Sequence, residues 1–431
     1  TLESLRSCRD VAGDVQNPDL VPFAGWEWTQ RGATPDEHYG PKNVIVAGLE
    51  PDEVPARPIA SAAPDLAALD LPGPLARGLL GFRSRHPRFH DFSTFVAERA
   101  ELTRCPDGVD PRELPGDCSE VAETPAELFR KLDAWDLPSI VVPHGTTWGF
   151  ATPPGATLDR QLDAAMHDPK RQTLFEISSG HGNAEVHRSF RALHRDDNGE
   201  PSCPAPTDDY LPTCWRAGEI VRERCLGQAQ PASECEERAR TARAHAAAAG
   251  SLAPLVIDGA SPADWLDAGQ CRDCEQPSFD YRPGGSAQYL LALGGFVPGT
   301  ASPRRFRMGF IGSSGSHTAR AGSGYKEIGR VGMTDSVLPD GRPGSRIFLP
   351  VDDADPAATS RPIEPDARSG IAALEVQRQA SFFQTGGLVA VHAAGRSRDA
   401  IWEAVGRKEV YGTNGPRILL WFDLLNAPGR S

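Results

Sequence analysis

The chain lacks any apolar run near the ~18 residues that a membrane-crossing helix needs. It also lacks a basic patch that stands out against its net charge of -13, which argues against a general nucleic-acid or anionic-membrane binder. There is no G-x-S-x-G elbow, and Ser313 and Ser314 in GSSGS (312–316) suit a metal-site loop better than a nucleophile turn. No GK[ST] phosphate loop occurs, and no G-x-G-x-x-G opens a helix after a strand, so nucleotide-binding enzymes of those types are set aside. Only one C-x-x-C is present, at Cys271 and Cys274, whereas a zinc ribbon wants two such knuckles. WLDAGQCRDCEQPSF around it offers no strand-to-helix context for a redox centre.

The cysteines that are present fall in local pairs across turn-rich loops. Cys105 pairs naturally with Cys118, Cys203 with Cys214 and Cys225 with Cys235, with Cys271 and Cys274 as a fourth local pair and Cys8 left over. Such spacing predicts disulfides, and disulfides place a protein in the periplasm or outside the cell. With 431 residues and 39% hydrophobic content, the chain is long enough for two or three average domains or for one barrel carrying insertions. Its 43 Gly and 39 Pro are spread rather than bunched, which predicts many ordered loops.

Seven short apolar runs read as buried strands: 22–28, 43–48, 139–144, 173–179, 306–314, 388–393 and 417–424. Helical patterns lie between them. Residues 124–135 open with a Thr cap and Pro and align Leu128, Leu132 and Trp135 on one stripe, and 397–410 has a similar layout. This alternation predicts an α/β fold with a mostly parallel sheet or a barrel. Residues 200–280 break the rhythm, with six of the nine cysteines and an Ala-rich helix at 234–250. The organisation expected is a first barrel part over 1–199, a disulfide-pinned helical insertion over 200–280 and a second barrel part over 281–431. The Pro/Ala/Leu/Asp-rich segment 49–80 reads as a surface excursion.

Four strands end in metal-competent groups. They deliver Glu27, His144, Glu176 with His181 just after it, and His317, while His38 is a fifth candidate in the loop between Glu27 and the strand from Asn43. A single histidine near a core is usually structural, but this repetition at strand ends points to one shared site, because C-terminal strand ends form the active face of parallel barrels. Neutral imidazole nitrogens mixed with carboxylate oxygens suit Zn, Mn or Fe as divalent ions.

GWEWTQ…HYGPKNVIV, VPHGTTWGF, EISSGHGNAE and GFIGSSGSHTARAGSGYKE together resemble the polymerase-and-histidinol-phosphatase (PHP) superfamily. More narrowly, they resemble its large bacterial branch classed as a domain of unknown function (DUF3604). QCRDCEQPSFDYRPGGSAQY and the tail GLVAVHAAGRSRDAIWEAVGRKEVYGTNGPRI share the likeness, which covers nearly the whole chain. The resemblance implies a distorted seven-stranded (β/α) barrel holding two or three divalent metal ions that activate water against a phosphoester. It also implies Glu27 as bridging carboxylate and His38, His144 and His317 as further metal ligands, with His181 lining the pocket.

The sequence departs from that pattern at three points. The superfamily's opening H-x-H motif is not found, since no His precedes Glu27. Either a longer native N-terminal segment or another chain completes the barrel, or part of the metal site is absent. The last motif reads Ser314-Gly315-Ser316-His317, with Gly315 where the family places Asp, and Pro41 stands where the branch tends to have His.

The function expected is a metal-dependent phosphoesterase for a small anionic substrate, with a metal-bridged hydroxide as nucleophile. Arg320 and Lys326 are candidate anion clamps beside Arg282, and His181 is a candidate proton donor to the leaving group. The alternative is a catalytically impaired relative kept as a binding or structural protein. A third reading is a sulfatase-like or other ester hydrolase that uses the same metals.

Overall fold

A computed structural model of the chain describes residues 2–62, 94–95, 98–99, 101–184, 192–270, 277–296, 303–315, 357–363, 381–423 and 425. Strand β1 (Ala24–Trp28) pairs antiparallel with β2 (Lys42–Val46). In turn, β2 pairs antiparallel with β3 (Ser139–Pro143), so Glu27 lies opposite Asn43 and Asn43 opposite Val142. Alternation sorts the faces of β2: Lys42, Val44 and Val46 are buried, while Asn43 and Ile45 are half-buried. Every residue of β3 is buried, as its unbroken apolar run predicts.

Strand β4 (Leu174–Ser179) packs beside β3 and pairs in parallel with β5 (Gly309–Gly312), whose register shifts between Ile311 and Gly312. Two further strands, β6 (Leu388–Val391) and β7 (Val410–Thr413), form an antiparallel hairpin. The hairpin can sit tightly on β5 because Gly312 has no side chain, and a Cβ there would come within 2.7 Å of the Leu388 carbonyl. The sheets are more antiparallel than the strand–helix rhythm suggests. The 29–41 segment contains no crossover helix and so returns the chain beside itself in the opposite direction.

Helix α1 (Pro125–Trp135) begins where expected. The Thr124 hydroxyl accepts from the Glu127 amide at 3.3 Å, and Leu128, Leu132 and Trp135 are buried against Trp28 and Val141. Six of the seven expected strands are present. The seventh, 417–424, is not: its described residues form no strand, and Ile418, Leu419, Trp421 and Phe422 lie exposed. The Tyr411 hydroxyl donates to the Ile418 carbonyl and accepts from the Leu420 amide, occupying main-chain groups that a partner strand would need.

The cysteine-rich region is helical, as its composition indicates. Helices α2 (Thr213–Gly227) and α3 (Ala232–Ala249) pack side by side over a core of Ile220, Val221, Ala242 and Trp265. Phe382 and Phe383 insert into the same core from far along the chain. The core therefore extends beyond the 200–280 boundary. The final helix, α4 (Arg398–Gly406), is capped by Ser397, whose hydroxyl accepts from the Ala400 amide.

Three disulfides join Cys105 to Cys118, Cys203 to Cys214 and Cys225 to Cys235, matching the local pairs, and Cys8 is free. Cys271 and Cys274 lie outside the described residues. Cys225 and Cys235 are fully buried and close a loop with a sequence separation of 10 where α2 meets α3. Replacing both with Ser is expected to lower unfolding free energy by about 2–3 kcal/mol, read from urea denaturation. An unchanged denaturation midpoint would show that packing of α2 on α3 already closes that loop. Among the described residues, no helix is long and apolar enough to cross a membrane.

Candidate functional site

The site assembles at the C-terminal ends of β3 and β4. His144 follows β3 directly, and its backbone amide donates to the Pro41 carbonyl at 3.0 Å, which fixes it to the start of β2. Glu176 sits in the middle of β4, fully enclosed at 4% exposure. Nδ1 of His144 lies 2.6 Å from Oε2 of Glu176. The Gly145 amide donates to the same oxygen at 3.4 Å, and the Ser313 hydroxyl, just past β5, donates to Oε1. The ends of β3 and β5 thus converge on one carboxylate of β4.

The electrostatics follow from that enclosure. Burial alone would push the His144 imidazole down, but the charge and hydrogen bond of Glu176 outweigh it, and Glu27 adds to the effect, so His144 rises to about 9. Burial likewise works against the Glu176 carboxylate, yet His144, Ser313 and Gly145 together hold it below its ordinary range. The pair is therefore an imidazolium–carboxylate ion pair at neutral pH. Nε2 of His144 makes no hydrogen bond among the described residues. To ligate a cation, that nitrogen would have to release its proton.

Glu27 is half-buried at the end of β1, accepts from the Thr29 hydroxyl at 2.9 Å, and is near enough for its charge to act on His144. His181 is buried after β4, its ring centroid 5.6 Å from that of His144. It stacks flat on Trp148, with centroids 4.1 Å apart and planes 3° from parallel. Trp148 comes from the loop after His144. Arg282 braces that loop from outside, donating to the carbonyls of Gly149 and Thr152. Its guanidinium thus ties this loop to the segment after it.

His38 is buried in the loop between β1 and β2, and the Gly32 amide donates to its Nδ1 at 3.4 Å. Burial first, then the charges of Lys42 and Arg31, lower it to about 4, so it is neutral at pH 7. Its Nε2 is enclosed with no hydrogen-bond partner among the described residues. His317, Arg320 and Lys326 lie outside the described residues. Among the described residues, no three His, Cys, Asp or Glu groups stand together as a metal site.

Three groups gained their partners only from the structure. Glu176 is visible in the sequence as a metal-competent strand residue, but its partner His144 lies far away along the chain. Ser313 reads as part of a glycine–serine loop. Trp148 reads as one more core aromatic, although its place in HGTTWG, four residues after His144, is a usable signal.

Residues 300–422 match the family described as Protein of unknown function (DUF3604). That match takes in Ser313, β5, the β6–β7 hairpin and α4. No curated protein and no solved structure matches the chain.

Proposed function

We propose that the chain is a metal-dependent hydrolase of small phosphoesters, with β1–β5 forming part of a PHP-type barrel. One observation carries the reading: Glu176 grips Nδ1 of His144 at 2.6 Å while Ser313 and Gly145 fix the carboxylate. Metal-binding histidines are oriented in this way, by donating the distal ring N–H to a carboxylate. Nε2 of His144, the Glu27 carboxylate and His317 are the proposed ligands, and their mixed nitrogen and oxygen chemistry suits Zn, Mn or Fe. When bound, the metal supplies a Lewis acid and makes its water acidic near neutral pH. His181, held flat on Trp148 beside His144, is the proposed proton donor to the leaving oxygen. The three disulfides support export to the periplasm or secretion.

Metal analysis of the purified protein and hydrolysis of an aryl phosphate with added Zn, Mn or Fe test this. Absence of both retained metal and metal-dependent turnover would sink it.

Gly315 favours a second reading, a relative with impaired catalysis. Gly315 has φ +61°, and a Cβ there would sit 3.0 Å from the Gly180 amide nitrogen and 3.8 Å from Nε2 of His181. A side chain at 315 would therefore start beside His181, in a left-handed conformation that Asp tolerates better than most residues. Gly315→Asp is expected to raise metal content and aryl-phosphate turnover by about tenfold or more, the scale on which supporting groups change such sites. If neither quantity moves, impairment at 315 is wrong.

A further inference from the structure

We infer that a groove beside Ser313 binds the hydrocarbon portion of the substrate, so that the protein acts on esters joining an anionic head to an apolar group. This rests on the phosphoesterase reading for the identity of the head but not for the groove. The groove has a volume of about 500 Å³ and runs from Ser313 and Ser314 along the β6–β7 hairpin to Pro416–Leu419. That is enough space for a ring system or a short chain.

Two features mark it as a built site rather than a chance hollow. Its outer wall is apolar yet open to water: Val389 is 45% exposed, Ile418 54% and Leu419 81%. Such a wall is unfavourable in water unless something covers it. The wall is also pinned in place. Tyr411 holds Ile418 and Leu420 through its hydroxyl, and the Thr413 hydroxyl donates to the Pro416 carbonyl at 2.7 Å.

The inner end of the groove decides what covers it. Ser313 lines the groove and also donates to Glu176, the carboxylate that holds His144. A ligand lying in the groove therefore has one end against Ser313, one hydrogen bond from Glu176, and the other among Leu388, Val389, Ile418 and Leu419. An amphiphilic small molecule has that shape, with its charged ester at the inner end and its hydrocarbon outward.

Titration calorimetry of the full chain with three probes tests this: methylphosphonate, naphthylmethylphosphonate and 2-naphthol. The naphthyl compound is expected to bind on the order of 10–100-fold tighter than methylphosphonate, as burial of one ring predicts. Val389→Asp and Leu419→Asp, both at exposed positions, are each expected to abolish that preference while leaving methylphosphonate binding unchanged. Equal affinities for the two phosphonates, or a preference that survives both substitutions, would overturn the inference. So would failure of all three probes to bind. If 2-naphthol binds in a Val389-dependent manner and neither phosphonate does, the groove stands as a hydrocarbon site and the phosphoester reading falls.

Discussion

Glu176→Gln is expected to bring His144 down from about 9 to below the ordinary imidazole value, because burial then acts on the ring against only the smaller pull of Glu27. The histidine ring resonances, followed by NMR against pH with no metal added, report this directly. Truncation to Ala goes further and leaves both His144 and the Ser313 hydroxyl without their partner. Removing one member of an enclosed ion pair destabilises by about 3–5 kcal/mol, so Glu176→Ala is expected to fall in that range by urea denaturation.

The pH window of this effect follows from the two shifts. His144 has a raised folded pKa, so its contribution is complete below about 6.5 and is lost as pH rises through about 9. Glu176 has a lowered folded pKa, so its contribution is complete above the ordinary carboxylate range and is lost as pH falls through its folded value. The stability difference between native protein and Glu176→Gln should therefore peak between those limits and shrink on both sides. A difference independent of pH would mean that the pair is not ionised. In the same variant, metal retention is expected to fall about 10–100-fold, the usual effect of losing a carboxylate behind a ligand histidine.

Much of this architecture was legible in the residues, for local reasons. The Thr124 cap and the Leu128–Leu132–Trp135 stripe specify α1 within a dozen residues, and β3 announces itself as an unbroken apolar run. The disulfides were legible because each closes a short loop. What failed was long-range. Residues 417–422 have the side chains of a strand, but a strand exists only if an edge is free to pair with it, and here Tyr411 holds the main chain instead. The direction of β2 against β3 was hidden for the same reason, since pairing is set by connections rather than by the strand's own pattern. In the candidate site, strand-end position singled out His144 and Glu27, and the charge of Glu27 acts on His144 in the structure. Position could not show that Glu176, a residue inside its strand, lies within hydrogen-bond distance of Nδ1 of His144.

Lys42 presents the sharpest conflict between pattern and chemistry, and it leads to a second large effect. By alternation it belongs to the inward face of β2 with Val44 and Val46, and it is fully buried there. Its ammonium donates to the carbonyls of Tyr39 and Gly40 at 2.5 and 3.1 Å and lies 5.5 Å from the centre of the Trp28 ring. Burial pushes this lysine down to about 7 from its ordinary 10.5. Between those values the unfolded chain binds a proton that the folded chain does not, so the Lys42 contribution to stability rises with pH across that interval and is constant below it. From about pH 7 to about pH 10 the native protein should gain on the order of 3–4 kcal/mol relative to Lys42→Met. His144 changes in the opposite direction over part of the same range, so the comparison between the two proteins, not the native curve alone, isolates Lys42. Parallel denaturation curves at both pH values would show that the amine stays charged, with the two carbonyls and the Trp28 face sufficient to hold an ammonium in the core. If the predicted gain is found, the amine is neutral in alkaline conditions and the Tyr39–Gly40 turn is held by ordinary hydrogen bonds. That turn leads directly to Pro41, whose carbonyl accepts from the His144 amide, so one peptide segment joins the Lys42 turn to the candidate site.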